Sequence, residues 1–144
     1  MRLSTKGRYG LKAMFELALS YGSGPVSLSV VSEKQNISVN YLEQLIAPLR
    51  KAGFVKSVRG AQGGYLLAKD PSEISVGDIL KTLEGPLSPS ECIENDKCSN
   101  KEQCVTKFVW EKIRDSINDV VDGITLKDMI DDHNKMARSD MYYI

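Results

Sequence analysis

One histidine in 144 residues leaves little material for acid–base catalysis near neutral pH. The histidine, His133, follows Asp131 and Asp132 but has no nucleophile constellation around it, and a lone histidine on a short terminal helix is normally a surface residue. Neither a GxGxxG motif nor a P-loop is present, and the Gly63-Gly64 pair punctuates a hairpin instead of cradling phosphate. An enzyme is therefore not expected. No apolar run approaches the ~20 residues that span a bilayer. The opening MRLSTKGRYG also lacks the apolar stretch of a signal peptide. Cysteine is scarce as well, and scarce cysteine without a secretion signal points to a reducing cytoplasm, where thiols persist and can carry metal. A hydrophobic fraction of 42% with 26% charged residues suits one soluble core-forming domain, or a small domain plus an extension.

The few cysteines are not scattered. Cys92, Cys98 and Cys104 stand at equal intervals in one short stretch, and these three are all the chain has. An odd number cannot be consumed by intrachain disulfides, and the spacing is not that of a CxxC site. Three soft thiolate donors within reach of one point suit a metal or an iron–sulfur cluster; the competing reading is three small buried hydrophobes. The zero net charge conceals a second segregation. Residues 1–69 carry ten Lys or Arg against three acids, a net of +7, and residues 70–144 carry nine against sixteen, a net of −7. A basic half joined to an acidic half is the footprint of a nucleic-acid-binding module attached to something else.

The basic half reads as helices and a hairpin. Ser4 and Thr5 cap a first helix with Tyr9, Leu11, Met14, Phe15, Ala18 and Leu19 at helical spacing, stopped by Gly22, Gly24 and Pro25. Ser27 or Ser29 opens a short second helix ending near Asn36. Ser38 caps a third, with Tyr41, Leu42, Leu45, Ile46 and Leu49 on one face and Gly53 as its stop. Pro48 inside it deletes one backbone hydrogen bond and should kink the last turn. The period then changes: Phe54–Val58 and Tyr65–Ala68 read as two strands around the turn 59–64. Asp70-Pro71 begins a linker, and Ser75 caps a small helix with Val76, Ile79, Leu80 and Leu83 that Gly85-Pro86 ends. Residues 86–103 are loop-like. A long helix from Cys104 to about Val121 carries Phe108, Val109, Ile113, Ile117, Val120 and Val121, a stripe too long to bury against a small domain alone. A second copy of the same helix is the economical cover, giving a twofold dimer. Thr125 can cap a last short helix. The fold expected is mainly α: a winged helix-turn-helix with a two-stranded wing and a long C-terminal dimerisation helix. Its divisions are a DNA-binding domain (1–84), a cysteine-bearing loop (85–103), and the dimerisation helix with its tail (104–144).

In a helix-turn-helix the start of the recognition helix faces base edges in the major groove. Asn40, Glu43 and Gln44 lie there on the polar side. Glu accepts from cytosine N4 and Gln pairs with the adenine edge; a carboxylate that phosphates repel belongs in a DNA interface only when it reads a base. Arg59 at the wing tip, beside Gly60, suits a minor groove or a phosphate, with Lys56, Arg50 and Lys51 as further phosphate contacts. Ser4, Thr5, Lys6 and Arg8 suit a phosphate at the N-terminus of the first helix.

The stretches MRLSTKGRYGLKAM, YLEQLIAPLRKAGFVKSVRGAQGGYLLAKD and ISVGDILKTLEGP closely resemble the iron–sulfur cluster regulator (IscR) family of winged-helix transcription factors, over nearly the whole chain. The resemblance implies a homodimer on a double-stranded DNA operator. It also implies DNA contacts from Tyr41, Glu43, Gln44 and Arg59, and a cluster of the [2Fe–2S] type held by Cys92, Cys98 and Cys104. Asn40 stands where other members often have a small hydroxyl residue. Lys107 stands where cluster-binding members place a histidine, which leaves the fourth ligand open among His133, Glu94, Asp96, Glu43 of the partner subunit and a small exogenous molecule. The chain also shares the aromatic-Tyr-Ile C-terminus of the cysteine metabolism repressor, which implies a cysteine synthase as a partner for the tail. The expectation is a cytoplasmic regulator of iron–sulfur assembly or cysteine metabolism genes. A thiol-redox or nitric oxide sensor on the same frame is the alternative, as is an iron–sulfur cluster carrier, although a carrier needs neither the +7 half nor a wing.

Overall fold

A computed structural model describes residues 3–89 and 105–142. Four helices of the first 84 residues open on a serine, and each serine performs the same local chemistry. Ser4 caps α1 (Thr5–Leu19), Ser27 caps α2 (Leu28–Gln35), Ser38 caps α3 (Val39–Lys51) and Ser75 caps α4 (Val76–Glu84). In every case the hydroxyl oxygen accepts from a backbone N–H of the first turn, satisfying a donor the helix cannot use itself. Ser75 and Asp78 close a full capping box. At the other end of α2, Asn36 adopts the left-handed conformation at φ 55°, which an Asn tolerates better than most residues. α3 keeps Pro48 inside its last turn but one, and Ala52 and Gly53 end it.

The core is formed where α1, α3 and α4 meet. Met14, Leu17, Leu42, Leu45, Ile46, Leu49 and Ile79 are all fully buried there. Each such side chain contributes about 1.5–3 kcal/mol by leaving water. Within α1 the burial falls on Ala13, Met14, Leu17 and Ala18, and the expected core residue Leu19 is exposed. The wing is an antiparallel pair, β1 (Val55–Val58) and β2 (Gly64–Leu67), registered Val55 to Leu67 and Ser57 to Tyr65. β1 starts one residue later than expected and ends at Val58 as expected, and β2 lies one residue earlier at both ends, following a turn in which the Gly63 N–H donates to the Gly60 carbonyl. Val26 extends the wing on the far side of β2, exchanging two backbone hydrogen bonds of 2.8 and 2.9 Å with Tyr65.

Three expectations change in the second half. Asp70-Pro71 opens not a linker but a 3₁₀ turn, Pro71–Glu73, whose Asp70 carboxylate accepts from the Ser72 amide and hydroxyl. The long helix, α5 (Lys107–Asp122), begins at Lys107 and not at position 104; residues 105 and 106 form a turn, and Thr106 makes no side-chain cap. The last helix is not short: α6 (Leu126–Tyr142) runs 17 residues. Thr125 and Asp128 cap it reciprocally, each side chain accepting from the other's amide. Leu126 is fully buried in the same core as α1 and α3, with Met129 and Ile130 packed beside it. The α5–α6 corner docks on the start of α4 through a two-bond bridge, Val76 N–H to Ile124 at 2.7 Å and Leu126 N–H to Ile74 at 3.0 Å. Lys81 of α4 clasps the Asp122 carboxylate with both oxygens at 2.9 Å.

α5 itself buries no residue fully. Ile117 and Val121 pack on Val76, Leu80 and Leu87, whereas Phe108 and Val120 are 60% and 61% exposed, with Val109 and Ile113 also open.

At the wing, a Cβ on Gly64 would stand 2.4 Å from the Val26 carbonyl oxygen and 2.5 Å from its carbon. Backbone atoms cannot swing aside as a side chain does. Gly64→Ala should therefore cost about 2 kcal/mol or more, read as a lower midpoint in denaturant unfolding. An unchanged midpoint would show that the wing does not depend on this contact.

Candidate nucleic-acid interface

Two helix N-termini lie side by side on one surface. Ser38 caps α3 by accepting from the Tyr41 amide at 3.2 Å. The first turns of α3 then present Asn40, Glu43 and Gln44 to solvent, opposite the buried Leu42, Leu45 and Ile46. Tyr41 is half-buried, and its hydroxyl lies 3.0 Å from the Thr5 Oγ1 at the first residue of α1. Its ring also meets the Tyr9 ring edge to face at 6.0 Å, and Lys12 Nζ stands 5.4 Å from the Tyr9 centroid. The starts of α1 and α3 are thus tied by one hydrogen bond and one aromatic pair. Lys6, Tyr41 and Gln44 share with Thr82 and Leu83 the wall of a cavity of about 340 Å³.

At the N-terminus of α1, a candidate phosphate contact, the Ser4 hydroxyl and the Lys6 and Gly7 amides have partners within the chain. Glu84, the last residue of α4, accepts from the Ser4 hydroxyl and from the Gly7 amide, the latter at 2.7 Å. A carboxylate at a helix N-terminus is favoured by the partial positive charge of the unpaired N–H groups. Burial pushes Glu84 up, but hydrogen bonds from the Ser4 hydroxyl and the Gly7 and Ser4 amides, with the charge of Lys6, outweigh it and hold the carboxyl below its ordinary range. The side chains of Lys6 and Arg8 remain exposed on either side. Nothing in local sequence announced Glu84, which lies 77 residues from Gly7.

The wing carries Arg59 and Gly60 on its turn, both exposed, with Gly60 at φ 114°. Lys56 is exposed on β1, and Arg50 and Lys51 on the last turn of α3. Positive side chains therefore flank the polar face of α3 at the wing and at the start of α1. Cys92, Cys98 and Cys104 lie outside the described residues, as do Glu94, Asp96, Tyr143 and Ile144. Among the described residues no group of three or more His, Cys, Asp or Glu side chains converges as metal ligands do. Lys107 is paired to Glu111 at 3.3 Å, and His133 stands exposed on α6 with its ring edge-on to Phe15 at 5.4 Å.

A family model described as iron-dependent transcriptional regulator, Rrf2, matches residues 3–132. The chain belongs to the Rrf2 family. Among its relatives, the HTH-type transcriptional regulator CymR of Bacillus subtilis is 46% identical over the full length of both chains. The HTH-type transcriptional regulator IscR of Cronobacter sakazakii is 40% identical over 97% of this chain and 86% of its own. The solved structure of T. potens IscR superposes with a TM-score of 0.77 at 54% identity, covering 92% of this chain and 88% of that one. The structure of CymR, the global cysteine regulator of B. subtilis, gives 0.75 at 48% identity, covering 90% and 95%. This Rrf2 protein is accordingly a DNA-binding transcription regulator of the winged-helix type and not an enzyme. No helix among the described residues is long and apolar enough to cross a membrane.

Because Glu84 is held below its ordinary value of 4.5, its contacts contribute stability that is complete above that pH and is lost as the pH falls through the lower folded value. The melting-temperature gap between the native protein and Glu84→Gln should therefore be widest near neutrality and close in acid. A gap that stays constant down to about pH 3 would show that Glu84 does not titrate in a folded contact.

Proposed function

We propose that this Rrf2 regulator binds a roughly palindromic operator as a homodimer, reading bases with the start of α3 and gripping the backbone with the wing and the start of α1. The exposed polar turn of α3, pinned beside the start of α1 by the Thr5–Tyr41 contact, carries this reading. Asn40, Glu43 and Gln44 are the base-reading side chains, and Tyr41 both orients the helix and reaches a phosphate. Arg59, with Gly60 allowing close approach, serves the minor groove or a phosphate; Arg50, Lys6 and Arg8 line the phosphate track, beside Ser4, whose hydroxyl is taken by Glu84. The open apolar row Phe108, Val109, Ile113 and Val120 on α5 supports a twofold mate as its cover, since a patch of this kind is unfavourable in water. On this reading residues 1–84 are the DNA-binding unit, 85–103 the cysteine segment and 104–144 the dimerisation unit, in a cytoplasmic protein.

The second element of the proposal is an iron–sulfur cluster, of the [2Fe–2S] type, held by Cys92, Cys98 and Cys104 and modulating operator binding. The donor set supports it: three thiolates are the ligands such clusters take. When bound, the cluster supplies a redox- and oxygen-sensitive charge next to the DNA-binding unit. The ion pair of Lys107 with Glu111 keeps its ammonium occupied, which fits a fourth ligand other than the residue at this position. An oxygen donor is favoured there over His133, which lies far along the chain on a separate helix. Relatives of both kinds stand close, IscR and CymR, so the target genes belong to iron–sulfur assembly or to cysteine supply. A thiol-redox regulator on the same frame is the second reading, favoured by the likeness to the oxidized form of Staphylococcus aureus CymR at a TM-score of 0.74. On the cysteine reading, the Tyr142-Tyr143-Ile144 tail docks into a cysteine synthase, a free carboxylate being a group that backbone donors capture.

A duplex selected from a random pool by the native protein provides the first test. Arg59→Ala should weaken binding several-fold or more, and Glu43→Ala should relax preference at one base pair by about 1–3 kcal/mol. Gel-shift titrations in which neither changes affinity or selectivity would overturn the interface. For the cluster, each single Cys→Ala variant purified without oxygen should lose visible absorption and bound iron. Full iron and colour in any one of them would remove that cysteine from the site.

A further inference from the structure

Glu84 does more than close a helix end. Its carboxylate reaches from the last turn of α4 to the first turn of α1, where it takes the Ser4 hydroxyl and the Gly7 amide. Glycine at position 7 gives this approach its room: a Cβ there would lie 3.0 Å from the Glu84 Cγ and Oε1 and 3.1 Å from Leu80 Cδ2, so those side chains would have to give by a few tenths of an ångström. The next contact in the series runs from α1 to α3, through Thr5 Oγ1 and the Tyr41 hydroxyl at 3.0 Å and the Tyr9–Tyr41 ring pair. Glu84, Ser4–Gly7, Thr5–Tyr9 and Tyr41 thus form an unbroken chain of contacts. It ends one residue from Asn40 and two from Glu43. At its other end α4 is clasped to α5 by the Lys81–Asp122 pair and to the α5–α6 corner by backbone bonds.

We infer that Glu84 is a positioning residue for operator recognition: by holding the start of α1 against α4 it fixes where Tyr41, and with it the reading face of α3, meets the DNA. A carboxylate so near a phosphate-facing surface costs attraction for any duplex. It is tolerable because the charge is spent on the donors of α1, and the return is geometry and therefore selectivity. Glu84 should in this way lower affinity for DNA in general while raising the preference for one sequence. The inference rests on the interface proposed above.

The test compares the selected duplex with an unrelated duplex of equal length, across several salt concentrations, for the native protein and three variants. Glu84→Ala removes the acceptor and the charge. Glu84→Gln removes the charge but keeps an amide oxygen that accepts from Ser4 and Gly7. Gly7→Ala keeps every charge and every DNA-facing side chain but presses on the Glu84 and Leu80 side chains and shifts the carboxylate from its place against α1. Discrimination between the two duplexes should fall about tenfold in Glu84→Ala and in Gly7→Ala, the size of one lost base contact, and Glu84→Gln should restore most of it. Binding to the unrelated duplex should rise in both Glu84 variants and stay at the native level in Gly7→Ala, because that term follows net charge. Melting curves accompany each titration, and a variant unfolded at the assay temperature is replaced by the other of the Glu84→Ala and Gly7→Ala pair. Equal discrimination in Glu84→Ala and Glu84→Gln would mean that charge and not position is at work, and would overturn the inference. Native discrimination in Gly7→Ala, or a lowered melting point with no change in discrimination, would overturn it as well. A native protein that selects no duplex at all would instead refute the interface.

Discussion

The Thr5–Tyr41 contact, set over the packed core of α1, α3 and α4, is the constraint on which the DNA-facing surface depends. An isolated 13-residue helix is marginal in water, and the start of a helix frays first. Here the start of α3 is held by a serine cap, by buried Leu42 and Leu45 beneath it, and by a tyrosine tied sideways to a neighbouring helix. Asn40, Glu43 and Gln44 can point at solvent in a defined direction because none of them is needed for the packing. The wing is set by a comparable device, the Val26–Tyr65 bridge, which requires Gly64 at the crossing.

The segregation of charge along the chain has a structural counterpart. The basic residues flank the face formed by the starts of α1 and α3 and by the wing. The acidic half supplies α5 and α6, which attach to the rest through the first turn of α4 and through Leu126. α4 is therefore the strut of the molecule: its N-terminal end carries the α5–α6 corner, its C-terminal end holds α1, and the segment bearing the cysteines continues from it. The same half carries the exposed apolar row on α5, for which a second copy is the proposed cover.

What could be read in the sequence was whatever is decided locally. The caps at Ser4, Ser38 and Ser75 and the change of period after the third helix each depend on neighbours within a few residues and lie where the pattern put them. Ser27 takes the cap that the sequence left open between it and Ser29, and β1 starts one residue after Phe54. The failures are non-local. α6 was expected to be short, yet it runs to Tyr142; residues 131–139 are all exposed, so no buried apolar pattern marks its continuation, and His133 meets Phe15 of α1 edge to face. Asp70-Pro71 resembled a linker because a Pro after an Asp suits a turn, and the buried Ile74 that anchors the segment contacts residues far along the chain. Of the candidate interface, what was legible is that Asn40, Glu43, Gln44 and Arg59 are exposed polar residues on predicted elements. The carboxylate that takes the α1 donors was not, because a partner 77 residues away leaves no local trace.

The central claim is that the starts of α1 and α3 and the wing form one continuous DNA-facing surface. Hydrogen–deuterium exchange, with and without the selected duplex, measures this directly. Protection should appear together in residues 3–9, 38–45 and 56–63, with α6 unchanged. Protection concentrated on α5 and α6, or confined to the wing with α1 and α3 unaffected, would contradict the account.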